Sequence, residues 1–270
     1  MGRSDLGFDV AALSDTGAVR AHNEDVVLVA PLDGESCPEV VFSFERAFAG
    51  PAVLAVCDGM GGAAAGEVAS LEAARSIGHY LVSHHAADGD LGGAVIRSLR
   101  AASERVYDLA VANPRLSGMG TTATVCAVRG AEAIIGQVGD SRAYLLRAGE
   151  LRQLTRDQTL AQLLMERGQL RPEDMDQSVV AGVILQAVGT APSVDVDLKT
   201  IGIAAGDVLL LCSDGLSGAL DAEVIREVLE EAPNASLACV RLIARALEAG
   251  ATDNVTCIVA RVLELDAART

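Results

Sequence analysis

The sequence predicts an α+β fold, an antiparallel β-sandwich covered by helix pairs, and three observations lead there. Short runs rich in β-branched residues recur along the chain, most of them bounded by Gly, Asp or Asn. Segments with helical spacing come as sequential pairs between strands; strand–helix alternation is absent, which disfavours a doubly wound parallel sheet. Half of the residues are hydrophobic but only 3% are aromatic and Trp is absent, so the core is built from Ala, Val, Leu and Ile.

In chain order, strands are expected at Val26–Ala30 and Ala52–Cys57, separated by a segment, Pro31–Pro51, whose Gly, Pro and charges mark a loop insertion. Apolar residues at helical spacing then predict helices over Glu67–His84 and Ala94–Ala112. Strands follow at Thr121–Val128, Ala133–Val138 and Ala143–Leu146. Residues Thr159–Pro192 start helical and become loop-like, as a mobile flap would. Val208–Cys212 is a strand, and a second helix pair covers Ala222–Glu231, with Asp221 as its cap, and Leu237–Ala249, with Ser236 as its cap. Val255–Val262 is the last strand, and the residues after Leu265 read as a frayed tail. No linker, low-complexity tract or repeat divides residues 1–270, so a single domain is expected, its core spanning about 8–262.

The net charge of −16 opposes binding to a phosphate backbone or an anionic membrane surface, both of which need clustered Lys and Arg. Six cysteines occur without any CxxC pair, four of them in apolar runs, which fits free buried thiols in a reducing compartment. Met1–Val10 lacks the apolar core of a signal peptide and no apolar run reaches membrane-spanning length; a soluble, cytoplasmic protein is expected.

Four distant segments carry acids where apolar runs begin or end: Asn23-Glu24-Asp25, Cys57-Asp58-Gly59, Cys212-Ser213-Asp214-Gly215 and Thr252-Asp253-Asn254. A carboxylate beside a buried strand is costly unless it is paired or binds a cation, so a two-metal hydrolytic centre is the natural expectation. Each segment also has an ordinary explanation. Gly59 lets a backbone carbonyl approach a metal beside Asp58, but glycine-rich strand-to-helix turns are common. Gly139-Asp140-Ser141-Arg142 alone reads as a tight hairpin. Asp253 suits a helix-to-strand turn. Arg20 offers a planar fork for two phosphate oxygens, or a surface ion pair with Glu24 or Asp25.

Together these segments resemble the metal-dependent protein phosphatase family, also called protein phosphatase 2C, in its bacterial Ser/Thr form. The resemblance covers about Phe8–Val262 and rests on an ordered set: the SDxGxxRxxNED stretch from Ser14, DGMGG from Asp58, GEVAS from Gly66, GMGTT from Gly118, GDSR from Gly139, CSDGL from Cys212 and TDNVT from Thr252. It implies a four-layer αββα sandwich, two antiparallel sheets flanked by helix pairs with the metals at one end. By the resemblance, Asp58, Asp214 and Asp253 hold one metal; Asp58, the Gly59 carbonyl and Asp25 hold the second. Asp58 is then the bridge, and Glu24 is either a ligand or stands behind one. Asp140 with Asp214 matches a weaker third site, and Arg20 the phosphate-binding arginine. The catalytic set is thus Arg20, Asp58 and Asp214.

The implied reaction is hydrolysis of phosphoserine and phosphothreonine in proteins, by water activated between two divalent ions roughly 3.5–4 Å apart. Oxygen-only ligation favours Mn²⁺ or Mg²⁺. Met60 stands where some relatives have a histidine, so bound water is the preferred proton donor and His22 reads as a surface or supporting residue. The implied partners are phosphorylated proteins, including a Ser/Thr protein kinase, and a monomer is the default. The segment from Asp176 to Gly189 departs from the bacterial pattern, with Gln186 where an arginine is expected, and Gln158 is a smaller departure. A silent phosphatase-like binding domain is the alternative, but its signature, loss of metal aspartates, is absent; a structural metal site would not need Arg20.

Overall fold

The computed structural model of the 270-residue chain describes residues 6–33, 38–61, 65–84, 89–171, 180 and 182–265. In chain order the elements are β1 (Leu6–Asp15), β2 (Asp25–Pro31), β3 (Glu39–Val41), β4 (Ser43–Ala49), β5 (Ala52–Met60), α1 (Ala65–His84), α2 (Leu91–Ala112) and a short 3₁₀ turn (Pro114–Leu116). Then come β6 (Gly120–Thr121), β7 (Ala123–Arg129), β8 (Glu132–Val138), β9 (Arg142–Arg147), β10 (Glu150–Gln153), α3 (Leu160–Glu166), β11 (Asp197–Gly202) and β12 (Val208–Cys212). The chain ends on α4 (Asp214–Ser217), α5 (Ala222–Glu231), α6 (Ala235–Glu248) and β13 (Val255–Glu264).

One sheet has the order β10-β9-β12-β13-β1-β4 and the other β11-β8-β7-β5-β2-β3, with β6 pairing β5; the pairings are antiparallel. α1 and α2 cover the second sheet, and α4, α5 and α6 the first. The four-layer αββα sandwich is therefore present, and its layers explain the composition. Strand residues alternate between two cores: Val26, Leu28 and Ala30 of β2 face the α1–α2 core while Val27 and Val29 face the core between the sheets. In β12, Leu209 and Leu211 face the inter-sheet core, and Val208, Leu210 and Cys212 face α4–α6. Burial on both faces makes these strands continuous apolar runs. The helices meet the sheets through small residues, Ala69, Ala73 and Ala74 of α1 among them, which suits a core without large aromatic anchors.

Several expectations are corrected. The described part of Pro31–Pro51 is not a plain loop: β3 adds an edge strand to one sheet and β4 an edge strand to the other. The strand β4 was hidden because only Phe44 and Phe48 pack toward the inter-sheet core while Glu45 and Arg46 are exposed, the charged pattern of an edge strand. Neither β1 nor the polar strands β10 and β11 was foreseen. The Gly139-Asp140-Ser141 segment is not a hairpin, since β8 belongs to one sheet and β9 to the other; the chain crosses the sandwich there. The cap of α6 is Asn234, whose Oδ1 accepts from Leu237 N at 2.8 Å, and not Ser236; Asp221 occupies the N-cap of α5 without a side-chain capping bond. Parts of the expected flap (172–179 and 181), of the insertion (34–37), Gly62 and the tail after Leu265 lie outside the described residues.

Asn234→Ala should therefore cost about 1 kcal/mol of unfolding free energy, and Ser236→Ala less than about 0.5 kcal/mol, measured by urea denaturation of both variants.

Candidate metal and phosphate site

Strand ends from both sheets meet at one edge of the sandwich. Asp25 opens β2 directly opposite Asp58 of β5 in the second sheet. In the first sheet Cys212 of β12 pairs with Cys257 of β13, so that Asp214, just past β12, and Asp253, just before β13, emerge together. The sheet-crossing turn supplies Asp140. Arg20, Glu24, Asp58, Asp140, Asp214 and Asp253 line one cavity of about 460 Å³. His22 is on the same wall, its Nδ1 3.5 Å from Glu67 Oε1, and Gly182 and Ile184 close the cavity on the side of the expected flap.

The cavity is built on main chain. Gly59 N donates to Glu24 O at 3.1 Å, and a Cβ on Gly59 would lie 2.3 Å from Gly66 O and 2.6 Å from Glu24 O, so only glycine fits. A Cβ on Gly66 would in turn meet the Glu24 carboxyl at 2.7 Å, so a side chain there would displace that carboxyl. Asp58 is held by the GMGTT segment: Thr122 N and Thr121 Oγ1 both donate to Asp58 O at 2.8 Å, and Asp58 N donates to Thr122 Oγ1 at 3.1 Å. Thr122 Oγ1 also bonds Ser141 Oγ at 2.7 Å, tying that support to the Asp140 turn. Gly139 takes φ +99°, where a side chain would also strike Thr122.

Asn254 clamps the opposite wall. Its Oδ1 accepts from Glu24 N at 2.8 Å and its Nδ2 donates to Thr16 O and His22 O, each at 2.9 Å. Thr121, Thr122, Ser141 and Asn254 were given no role from the sequence. The only signal for them was membership of the ordered segments, because each acts by tertiary hydrogen bonds to distant chain.

Burial and mutual repulsion dominate the electrostatics. Burial first, then Asp25, Asp214, Asp140 and Asp253, holds the Asp58 carboxyl well above the usual carboxylate range. Asp214 is raised by burial and by Asp253, Glu24 chiefly by burial, and Asp140 is pushed up to about 7 by burial and then by Asp214 and Asp157. Asp25 is fully buried and likewise raised, burial being the largest cause. Neither of its carboxylate oxygens has a hydrogen-bond partner, nor does Asp140 Oδ1. The nearby Thr256 and Ser213 hydroxyls offset part of that rise; Ser213 Oγ also accepts from Thr256 N at 3.0 Å, and Thr256 Oγ1 bonds Ser14 Oγ at 2.6 Å.

Buried, unpartnered oxygens, repelling carboxylates and a side-chain-free carbonyl at Gly59 fit hard divalent cations. Among the described residues no three His, Cys, Asp or Glu side chains form a ready-made ligand group, so the fit rests on these oxygens and the cavity they surround. The structure brings Glu24, Asp58, Gly59, Asp140, Asp214 and Asp253 to the cavity wall and places Asp25 beneath it, outside the wall. Arg20 is on the wall and half-exposed; its ion pair forms with Asp253, at 2.6 Å, and not with Glu24 or Asp25.

Comparison with known proteins agrees with this geometry. The profile of the family described as Protein phosphatase 2C matches residues 41–254. The serine/threonine protein phosphatase PstP of Mycobacterium tuberculosis is 38% identical over 270 residues, covering all of this chain and 48% of its own length, so the chain spans about half of that curated relative. The serine/threonine phosphatase stp of Listeria monocytogenes is 31% identical, over 90% of this chain and 91% of its own. A crystal structure of the PstP catalytic domain in complex with two manganese ions superposes with a TM-score of 0.79 at 38% identity, covering 96% of this chain and 99% of that one. With the profile matching most of its length and relatives of this identity, the chain belongs to the protein phosphatase 2C family.

Proposed function

We propose that the chain is a protein-serine/threonine phosphatase that hydrolyses phosphoserine and phosphothreonine with two Mn²⁺ or Mg²⁺ ions. The observation that carries this is the convergence of Asp58, Asp214, Asp253 and Arg20 from both sheets on one cavity, beside buried carboxylates without partners. Asp58 sits centrally enough to feel the other four aspartates, which suits a carboxylate shared by two ions. Asp214 and Asp253 would complete one ion's shell, and the Gly59 carbonyl with Glu24 or Asp25 would complete the other. Asp140 with Asp214 would hold a weaker third. When bound, the ions supply positive charge to the phosphoryl oxygens and an activated water.

Arg20 supplies the protein's own cation. One of its N–H groups is engaged by Asp253, leaving others of its five to grip phosphoryl oxygens. In a protein of charge −16 this local compensation is what admits a dianionic group. The same charge opposes nucleic acid as a partner; phosphoproteins are the partners proposed because the site compensates charge locally. Substrates including a Ser/Thr protein kinase, a monomeric state and cytoplasmic residence complete the proposal; the five buried free thiols of the described chain support a reducing compartment. Among the described residues no helix is long and apolar enough to cross a membrane.

Release of phosphate from a phosphothreonine peptide should require added Mn²⁺ after chelation and be lost in Asp214→Asn; full activity in that variant, or indifference to metal, would sink the assignment. Arg20→Ala should lower kcat/KM by roughly ten- to a hundredfold, mainly through KM, as expected for losing one charge-assisted contact of about 1.5–3 kcal/mol; steady-state kinetics decide it. A pH titration gives an independent check. Asp140 titrates near 7 in the fold against 3.8 ordinarily, so its ionisation opposes folding. Chelated protein should therefore lose stability as pH rises from about 4 to about 7, and Mn²⁺ should abolish that slope, followed by denaturant midpoints at each pH.

A further inference from the structure

Gln158 and Gln186, the two glutamines outside the family pattern, meet at a junction between the Gly182–Ile184 side of the cavity and the turn that carries Asp140. Gln158 is buried and bonds Gly139 twice: its N–H donates to Gly139 O at 3.0 Å, and its Oε1 accepts from Gly139 N at 2.8 Å. Its own carbonyl accepts from Leu185 N at 2.8 Å. The next residues continue the contact, with Thr159 bridging Ile184 and Leu160 N donating to Val183 O at 2.8 Å. Ile184 is on the cavity wall, so one residue, Gln158, holds a cavity-facing segment and the Asp140 turn together.

Gln186 completes the junction. Its Nε2 donates to Gln158 Oε1 at 3.0 Å, the same atom that accepts from Gly139 N, so both acceptor positions of that amide oxygen are filled. It also donates to Asp195 O at 2.5 Å, and its Oε1 accepts from Asp195 N at 3.2 Å. A group that both donates and accepts is needed here; a guanidinium, which only donates, would leave Asp195 N without its partner. On its other side the turn is pinned by Gln137, whose Nε2 donates to Gly139 O at 2.9 Å and Ser141 O at 2.7 Å. The Asp140 carboxylate itself has an unpartnered oxygen, so the turn's backbone bonds decide where it stands.

We propose that Gln158 and Gln186 are positioning residues that couple segment 182–186 to the Asp140 turn, so that the substrate side of the cavity and Asp140 shift as one body. The catalytic consequence rests on the phosphatase reading; the mechanical coupling does not. Local opening of either segment should break bonds to the shared Gln158 oxygen and loosen the other.

The test is hydrogen exchange on the full chain, resolved by mass spectrometry, with unfolding free energies measured in parallel and kinetics on a phosphothreonine peptide. Gln186→Leu should accelerate exchange of Leu185 and, across the junction, of Gly139, each by roughly three- to tenfold, the loss of about one neutral hydrogen bond. Gln158→Met should do so more strongly, and Gln158→Glu, which keeps the acceptor for Gly139 N, should restore protection at Gly139. In both loosened variants KM for the peptide should rise while turnover of a small aryl phosphate changes less. Acceleration confined to 182–187 would overturn the coupling, and acceleration at both segments with unchanged kinetic constants would overturn its catalytic consequence. An inactive wild-type protein with coupled exchange would instead refute the phosphatase reading and leave the coupling standing.

Discussion

Repulsion among buried carboxylates is the constraint on which the rest of the structure depends. Burial and like charge raise Asp25, Asp58, Asp140 and Asp214, and Asp25 and Asp140 hold oxygens with no partner. A fold that tolerates this must fix the carboxylates from outside, because they cannot hold one another. It does so with uncharged groups: hydroxyls of Thr121 and Thr122 at Asp58, the Asn254 amide at Glu24, and the Gln137 and Gln158 amides at the Asp140 turn. Neutral supports add no counter-charge that a cation would have to displace, whereas the single arginine of the wall, Arg20, is exposed enough to exchange its carboxylate for a substrate.

The layered architecture makes this assembly affordable. Three cores, one on each side of the sandwich and one between the sheets, bury strand residues on both faces, so the ends of β2, β5, β12 and β13 are anchored by whole strands of Val, Leu and Ile. The charged cluster is confined to the one edge where these strands stop. Because β8 and β9 lie in different sheets, the Asp140 turn also joins the two sheets at that edge, and the carboxylate it carries belongs to neither alone.

What could be read in advance followed from locality. Asp58 and Asp214 announce themselves because they end apolar runs whose burial makes a carboxylate conspicuous. Asp253 is conspicuous only beside the other three acid-bearing segments, since alone it suits a helix-to-strand turn, whereas Asp140 and Arg20 acquired a role only through the ordered family segments; the sheet change after Val138 has no local signature that separates it from a hairpin. The strand β4 escaped notice because five of its seven residues are exposed, and β10 and β11 because their residues are mostly polar and largely exposed. Asn254 and Gln158 act at separations of 230 and 19 residues, beyond any periodic pattern. Glu24 and Asp25 illustrate the same limit in the other direction: adjacent in sequence, one lines the cavity and the other is fully buried outside its lining.

The packing of Gly59 against Gly66 and Glu24 has a consequence for redesign. With backbone carbonyls closing the space for even a methyl group at 59, the cavity there is set by the thickness of peptide units in contact and cannot be adjusted by choosing a larger or smaller side chain. Changing which cation the site accepts is thus a problem in backbone displacement at the floor or in the loops above it. Residues such as Met60 and Ile184, on the wall and not in the floor, are where side-chain engineering has freedom.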